Sequence, residues 1–468
     1  MADINQEDQQ LSHLKELGKR NSSLASKLDE LMSQYQNLNS RTEQYHALLK
    51  EFGLEDEAAR EQAGVRRFKM ASMLYIVIIG FEELTQRGDA QLQLDRLDEI
   101  FISIAETASH YNLVKIPTVG DNVLLAGGIK KENKTNPIDA TMAAMEILQN
   151  IQRYRESVDT IWNVAIGIHT GPIIGRFAPR KNLPYTLSGN NVLTVSRLGR
   201  AAKVGHVVIS PMTFELVREF FVVKEYGRIP VKYSGVMNIY ELDAIRPELV
   251  STQPGTLWGD DFKLAYSRLQ FMDIQEFMLD MLEEKLPKNL YYHNVKHTID
   301  VTTEAELIGW AEGLDEKNVL LLKVAGLFHD SGQIKTVKGH EEVSCQYVDE
   351  ILPSYGYSKE DMDTIKRIIM ATQLPHEPTD ILEAVIQDSD LDYLGRGDFI
   401  PVSNMLYKEM TERGAKLTIN EWNKIQIKFI SSHQYYTKTA QSLREVNKQS
   451  QIERLKELVE ASEREGVK

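Results

Sequence analysis

Cysteine, surplus positive charge and long apolar runs are scarce in this 468-residue sequence, and each shortage excludes a class of protein. The single cysteine, Cys345, cannot form an intrachain disulfide, which fits a reducing compartment. With 68 Asp and Glu against 54 Lys and Arg, the net charge of -14 argues against nucleic-acid binding. The longest apolar run, residues 70–81, is too short to cross a membrane. Because the sequence also starts with the acidic, polar residues MADINQEDQQ, we expect a cytoplasmic protein without a signal peptide or a membrane partner.

Residues 11–52 carry a heptad repeat with two seams. One seam comprises Leu17, Leu24, Leu31, Leu38, Tyr45 and Phe52. The companion seam comprises Leu14, Asn21, Leu28, Tyr35, Thr42 and Leu49. Two seams sustained over this length are typical of a coiled coil, so residues 1–62 are predicted to form a coiled-coil dimerisation helix. The alternative is one amphipathic helix lying on the protein's own surface.

The remaining sequence divides into two regions joined by a linker. Residues 63–245 are predicted to be an α/β domain, in which β-branched residues indicate a buried strand at 73–79. A hairpin is predicted at 114–126 and a further strand at 162–168, followed by a loop rich in Gly and Pro. Residues 246–262 are rich in Pro and Gly, which is typical of a linker. From 263 to 468 the periodic apolar residues predict six or more helices and no strand.

Histidines and carboxylates in the C-terminal region form an ordered set that indicates a divalent-metal site. His293 and His297 are four residues apart and therefore share one face of a helix. The pair His329-Asp330 ends one apolar helix, and Asp388 follows another. Imidazoles and carboxylates together suit Mn, Fe, Zn or Mg. We therefore predict one or two divalent metal ions and hydrolysis of a phosphate ester.

These residues resemble the pattern of the HD metal-dependent phosphohydrolases. Tyr292–Val301 further resembles the opening signature of the cyclic-nucleotide phosphodiesterases, which belong to that superfamily. The resemblance implies that His293 is the catalytic general acid and that Asp330 is also catalytic. The metal ligands that it implies are His297, His329, Asp330 and Asp388.

The sequence departs from the phosphodiesterase pattern just after the His-Asp pair, which leaves the number of metal ions open. Gln333 and Ile334 stand where that family usually has another His. His340 follows ten residues after the pair, as in HD proteins with two metal ions, and is predicted to bind a second metal. The residues expected to orient the ligands are Asn294, Asp390 and Glu341.

The middle region resembles the class III adenylate/guanylate cyclases, which have a ferredoxin-like fold. The resemblance rests on residues 74–81, 118–121, 167–172 and 187–197. These stretches occur in the right order over about 180 residues, and they predict the fold of this region better than its activity.

Most residues that such cyclases use for catalysis are replaced here, so we predict no cyclase activity. Val77 stands where the first metal-binding Asp belongs, whereas Asp121 stands at the second such position. Residues that replace base-reading and ribose-positioning side chains are Pro117, Thr186 and Leu193. Arg197 stays in place, and with Asp121 and Arg176 it is predicted to receive the phosphates of a regulatory nucleotide. The alternative is a domain that serves only as a dimer scaffold.

The sequence therefore predicts a multidomain homodimer with a coiled coil, an α/β class III cyclase-like domain and an all-α HD domain. The predicted reaction is hydrolysis of a 3′,5′-cyclic nucleotide, cAMP or cGMP, to the 5′-monophosphate. One alternative is an HD phosphohydrolase of another nucleotide, such as a nucleoside mono- or triphosphate or a guanosine alarmone. The other is a non-enzymatic, metal-holding regulator, against which the complete set of metal-ligating residues argues.

Overall fold

The computed structural model describes residues 65–84, 89–118, 122–177, 184–231, 235–252 and 258–464. The predicted coiled coil over residues 1–62 lies outside this part of the chain. The described residues form a sheet-containing region followed by a helical region, as the sequence predicted.

The first region is built on a mixed sheet. Its described strands are β1 Val65–Ile79, β2 Val114–Ile116, β3 Val123–Gly127, β4 Asn163–Phe177, β5 Pro184–Ser188, β6 Val207–Ile209, β7 Phe221–Val231 and β8 Gly235–Ile245. Their order is β2-β3-β1-β4-β6-β8-β7, with β5 paired to β4. Strands β4 and β6 are parallel, and the other described pairs are antiparallel. The long, apolar strands β1 and β4 lie at the centre, because β-branched residues that are buried on both faces favour a central position.

Helices cover this sheet. They are α1 Ala90–His110, α2 Asn136–Ser157, α3 Asn190–Ala201 and α4 Pro211–Val217, with a short helical turn at Phe81–Leu84. The apolar faces of α1 and α2 pack with Leu74, Ile76 and Ile166 in one buried cluster. Helices α3 and α4 and strand β5 were not predicted as separate elements from the sequence.

Over the described residues 169–177, where a loop was predicted, β4 continues to Phe177 instead. Pro172 lies within this strand although it cannot donate a ladder hydrogen bond. The register shows how it is accommodated: Ala71 pairs with Gly171 and Phe68 pairs with Ile173. Two residues of β1 thus oppose the single Pro172, which is a β-bulge at the position where the ladder lacks a donor.

Helix α3 approaches the sheet closely through two glycines. A β-carbon on Gly167 of β4 would lie 2.1 Å from the backbone nitrogen of Gly199. A β-carbon on Gly199 would lie 2.7 Å from the carbonyl oxygen of Tyr75 and 3.4 Å from Cγ2 of Val77. This contact places Val77 against the helix.

The second region is helical, and its described residues after Gly259 contain no strand. Its helices are α5 Asp260–Lys285, α6 Val295–Ala311, α7 Glu316–Phe328, α8 His340–Ile351, α9 Lys359–Met370, α10 Ile381–Asp390, α11 Phe399–Glu412, α12 Ile419–Ser432 and α13 Lys438–Arg464. Helix α7 is central, since nine of its thirteen residues are buried. It ends directly before His329-Asp330, so a rigid, apolar helix positions this polar pair.

Both regions meet along a polar seam between the loop before α2 and helix α5. The backbone N–H of Lys134 donates to both carboxylate oxygens of Asp273, at 3.0 Å each. The hydroxyl of Tyr266 donates to Asp139, which lies in the first turn of α2. Asp273 and Asp139 are both buried, so these hydrogen bonds satisfy groups that water no longer reaches.

Candidate metal centre and active site

His297 enters the site from the first turn of α6, which Asn294 caps. The side-chain oxygen of Asn294 accepts the backbone N–H groups of Lys296 at 2.9 Å and His297 at 3.3 Å. Its amide nitrogen donates to the carbonyl of Tyr291 at 2.6 Å. Asn294 was predicted to orient a ligand, and its contacts show how: it fixes the start of the helix that carries His297.

His329 and Asp330 follow α7 at the point where the chain leaves the helix. Nδ1 of His329 lies 2.8 Å from the carbonyl oxygen of Gly326, which can only accept a hydrogen bond. The proton therefore sits on Nδ1, and the Nε2 lone pair is free for a metal ion.

Four donor atoms converge between these helices. Nε2 of His297 lies 3.3 Å from Nε2 of His329 and 3.0 Å from Oδ1 of Asp390. Nε2 of His329 lies 3.6 Å from the same Asp390 oxygen. Oδ2 of Asp330 lies 3.3 Å from Nε2 of His329 and 3.5 Å from Nε2 of His297. A cation among these atoms would be within reach of His297, His329 and Asp390, with Oδ2 of Asp330 beside both imidazoles.

Two observations show that this set fits a divalent cation. His297, His329 and Asp390 offer ligand atoms that all lie within 4.8 Å of one another. Oδ2 of Asp330 is buried without a hydrogen-bond partner, which is costly for a carboxylate unless a cation satisfies it. Two imidazoles with two carboxylates are a donor set that Mn, Fe and Zn all accept.

The electrostatics of the cluster also favour a cation. Burial by itself would lower the pKa of His329, but Asp330 and Asp390 raise it well above its usual value. For Asp390 burial acts in the opposite direction and would raise the pKa, but hydrogen bonds from His297 and His329 hold that pKa below its ordinary value. Burial would raise the pKa of Asp330 too, but the charge of His329 holds it well below its usual value, so both carboxylates remain anionic.

The structure does not place Asp388, the predicted metal ligand, in the cluster of His297, His329 and Asp390. Its carboxylate is fully buried and accepts the backbone N–H groups of Tyr436, at 3.0 and 3.2 Å, and of Thr437, at 2.7 Å. Asp390 was predicted only to orient ligands, yet it supplies the oxygen beside His297. Side chains two residues apart on a helix point in directions about 200° apart around its axis, so only one of the two aspartates can face the cluster.

His340, the predicted ligand of a second metal, lies beside the cluster. Its Nε2 is 3.0 Å from Oδ1 of Asp330, and its Nδ1 is 2.9 Å from the carbonyl of Val337. Asp330 thus faces His297 and His329 with one oxygen and His340 with the other. Glu341, predicted to orient a ligand, is buried, and its Oε2 lies 3.7 Å from Nδ1 of His340.

His293 faces a carboxylate that the sequence analysis missed. Its Nδ1 lies 2.6 Å from Oε1 of Glu409, whose side chain is 1% exposed. The other oxygen of Glu409 accepts the backbone N–H groups of Tyr292 at 3.0 Å and His293 at 3.2 Å. Burial raises the pKa of Glu409, but His293 and these donors bring it below its usual value. No local sequence signal distinguishes this glutamate, which lies 116 residues after its partner.

Two of the three predicted nucleotide-binding residues of the first region lie in the part of the chain that the structure describes. Arg176 is exposed on β4. Arg197, on α3, donates from Nη1 to the carbonyl of Pro230 at 2.7 Å. Asp121 lies outside the described residues.

Known families match both regions. The adenylate and guanylate cyclase catalytic domain matches residues 64–244, and the HD domain matches residues 294–395. The chain therefore contains a class III cyclase homology domain followed by an HD domain. HD domains bind divalent metals, so the match supports a metal-dependent phosphohydrolase and agrees with the cluster of His297, His329 and Asp390. Among the described residues, no helix combines the length and the apolarity needed to span a membrane.

Several cyclases are similar to part of this chain. A membrane guanylyl cyclase of Dictyostelium discoideum is 25% identical over 178 residues, which are 38% of this chain and 12% of that protein. An adenylate cyclase of Mycobacterium tuberculosis is 24% identical over 200 residues, which are 42% of this chain and 44% of that protein. The structure of the guanylyl cyclase Cya2 is 18% identical with a TM-score of 0.36, covering 42% of this chain and 99% of that one. The chain thus spans less than half the length of these two curated relatives.

Proposed function

We propose that this protein is a metal-dependent phosphodiesterase that hydrolyses a 3′,5′-cyclic nucleotide to the 5′-monophosphate. The observation that carries the proposal is the convergence of His297, His329, Asp330 and Asp390 beside His293. A divalent cation held by the four residues would stabilise charge on a phosphate and acidify a water molecule. A cyclic phosphodiester is suggested by the resemblance of Tyr292–Val301 to the phosphodiesterase signature.

His293 has the contacts that a general acid needs. Since Glu409 accepts a hydrogen bond at Nδ1, the other nitrogen, Nε2, is left to carry the transferable proton. In the proposed step a water molecule first loses a proton to solvent, and the resulting hydroxide oxygen forms a bond to phosphorus while the bond from phosphorus to the ribose 3′ oxygen breaks. Nε2 of His293 gives its proton to that leaving oxygen, which would otherwise depart as an unstable alkoxide.

A second candidate is an HD phosphohydrolase that acts on another nucleotide. The contact between His340 and Asp330 favours it, because these two residues would hold a second metal ion, which would suit phosphate monoesters or polyphosphates as well. Gln333, in place of the His usual in phosphodiesterases, points the same way.

Turnover of the purified protein tests these proposals. The protein would be incubated with Mn, Mg, Fe or Zn and with cAMP, cGMP, and nucleoside mono- and triphosphates, and the products would be separated by chromatography. We expect AMP or GMP from the cyclic substrates, and no product from Asp330→Ala. Release of phosphate from the other nucleotides alone would support the second candidate instead. Absence of turnover on every substrate would contradict both.

The remaining predictions concern assembly. We propose a cytoplasmic homodimer that forms through the coiled coil and the cyclase-like domain, with that domain serving as scaffold or as a nucleotide-binding regulator. Sedimentation of the full chain and of a chain beginning at residue 63 would separate the two contacts. A dimer that persists without residues 1–62 assigns dimerisation to the cyclase-like domain. Equilibrium dialysis with ATP and GTP would test nucleotide binding, and its abolition in Arg197→Ala would assign it.

A further inference from the structure

Arg413, directly after α11, links two parts of the candidate active site. Its Nη1 lies 3.2 Å from Oε1 of Glu409, the carboxylate that holds His293. Its Nη2 lies 3.2 Å from the side-chain oxygen of Gln333, to which it donates. Only 21% of the Arg413 side chain is exposed, so water screens these contacts weakly.

Each end of this link is itself fixed. Oε2 of Glu409 is held by two backbone N–H groups, so the arginine and the imidazole of His293 share the remaining oxygen. Gln333 is buried, and its backbone N–H donates to the carbonyl of Asp330 at 3.0 Å. The guanidinium therefore spans from the partner of the general acid to the turn that carries the metal-ligating pair.

We propose that Arg413 is a positioning residue that sets where His293 stands relative to the metal ligands. This inference rests on the proposed function, since it assigns Arg413 to the proton-donating half of that reaction. Arg413 does not touch the metal-ligand atoms. It acts on the orientation of Glu409, and through Glu409 on the imidazole that protonates the leaving oxygen.

The planar guanidinium suits this role better than an ammonium group. It presents separate N–H groups in a fixed fork, so one nitrogen reaches Glu409 while another reaches Gln333. A lysine at this position has a single nitrogen and cannot hold both acceptors in that geometry. Arg413→Lys is therefore expected to behave like Arg413→Met rather than like the wild type.

Two substrates with different leaving groups can distinguish a misplaced general acid from a general loss of structure in the active site. The ribose oxygen of a cyclic nucleotide needs a proton to leave, whereas p-nitrophenolate from bis(p-nitrophenyl) phosphate leaves without one. For Arg413→Met we expect kcat for the cyclic nucleotide to fall roughly 10- to 100-fold, within the contribution of a general acid, with KM nearly unchanged. Cleavage of the p-nitrophenyl ester should fall less than about threefold.

Further variants guard against misfolding. Gln333→Leu breaks only the far end of the link, so it should give a smaller loss of the same kind, and the Arg413→Met, Gln333→Leu pair should be non-additive. The exposed Lys416, just beyond α11, provides the matched control Lys416→Met, which should match the wild type on both substrates. The affinity for Mn²⁺, measured by calorimetry, should be the same in every one of these proteins.

The outcomes distinguish the inference from the proposed function. Equal losses on both substrates, or weaker Mn²⁺ binding, would mean that Arg413 only supports the fold. Full activity of Arg413→Met on the cyclic nucleotide would overturn the positioning role. If the wild type cleaved the p-nitrophenyl ester but no cyclic nucleotide, the proposed function would fail, and the inference would fall with it.

Discussion

The two regions of this chain use their charged side chains differently. In the HD domain, ligand atoms of His297, His329 and Asp390 all lie within 4.8 Å of one another, and Oδ2 of Asp330 lies within 3.5 Å of both imidazoles. In the cyclase-like domain, Val77 packs against α3 where a metal-binding Asp would be expected, and Arg197 donates to a backbone carbonyl. Burying charged side chains costs free energy, so a place where several of them converge is informative about function. A fold can therefore persist after its charged groups are replaced, whereas a metal site cannot.

The largest expected effect comes from removing a metal ligand from the HD domain. Asp390→Asn replaces the anionic oxygen beside His297 with a neutral amide. We expect Mn²⁺ affinity and phosphohydrolase activity each to fall at least about 100-fold, since even outer partners of metal ligands contribute 10- to 100-fold. Calorimetry and turnover measure the two quantities. Unchanged Mn²⁺ binding would remove Asp390 from the site.

Asp388 provides the matched contrast two residues away. Asp388→Asn keeps the size of the side chain but offers an N–H₂ group to one of the backbone donors of Tyr436 and Thr437. We expect a loss of about 1–3 kcal/mol in the free energy of unfolding, with nearly normal Mn²⁺ affinity. Denaturant unfolding and calorimetry report the two effects. Loss of Mn²⁺ binding without loss of stability would restore Asp388 as a ligand.

The seam between the two domains can be weakened without touching either site. Asp273→Ala leaves the backbone N–H of Lys134 without its carboxylate, at a cost of about 1.5–3 kcal/mol for a hydrogen bond to a charged group. We expect the two domains to unfold in separate thermal transitions in this variant. The control is Glu276→Ala, which removes only an exposed ion pair to Lys134 and should change little. Two transitions already present in the wild type would contradict a coupling role for Asp273.

The same seam should make stability depend on pH through Asp139. Burial raises the pKa of Asp139 to about 6, against an ordinary value of 3.8. The folded state therefore binds the proton more tightly than the unfolded chain, so the stabilising contribution is complete below pH 3.8 and is lost as pH rises through about 6. Asp139→Asn should lose this dependence, with a benefit of up to about 3 kcal/mol at pH 7 and almost none at pH 4. Thermal unfolding at both pH values measures it, and an equal effect at both would exclude the titration.

The smallest expected effect concerns the cyclase-like domain. Neither the wild type nor Val77→Asp should convert ATP or GTP to a cyclic product with Mn²⁺, because one restored carboxylate leaves Pro117, Thr186 and Leu193 in place. Chromatography of the reaction mixtures checks this. Any cyclic product from the wild type would overturn the assignment of this domain as inactive.

The sequence predicted the order of the domains and most helices and central strands, because apolar periodicity and β-branched runs are local signals. From their distinctive spacing it also predicted His297, His329 and Asp330 as metal ligands, and these three side chains lie close together in the structure. It predicted Asp388 as the ligand and Asp390 only as an orienting residue, because the rotation of α10 about its axis, which decides between them, cannot be read from the sequence. The role of Glu409 was equally hidden, because nothing near it in the sequence indicates contact with His293.

The strand after residue 168 shows a related limit. Gly171-Pro172 is a turn signal in isolation, and it predicted a loop. The structure overrides it, because the bulge that accommodates Pro172 lies on a different strand, β1, about a hundred residues earlier. Local propensity gives way wherever tertiary pairing supplies the compensation.

The anchoring of Asp388 by Tyr436 and Thr437 has a consequence for biosynthesis. Asp388 and Asp390 share the last turn of α10, and the backbone donors that satisfy Asp388 are made 48 and 49 residues later. The carboxylate of Asp392 likewise accepts a hydrogen bond from Arg444, which is also synthesised later. During translation, the ribosome therefore releases His297, His329 and Asp330 well before the turn that carries Asp390 can adopt its final conformation. We expect a nascent chain to retain metal only after the segment around residue 444 has emerged.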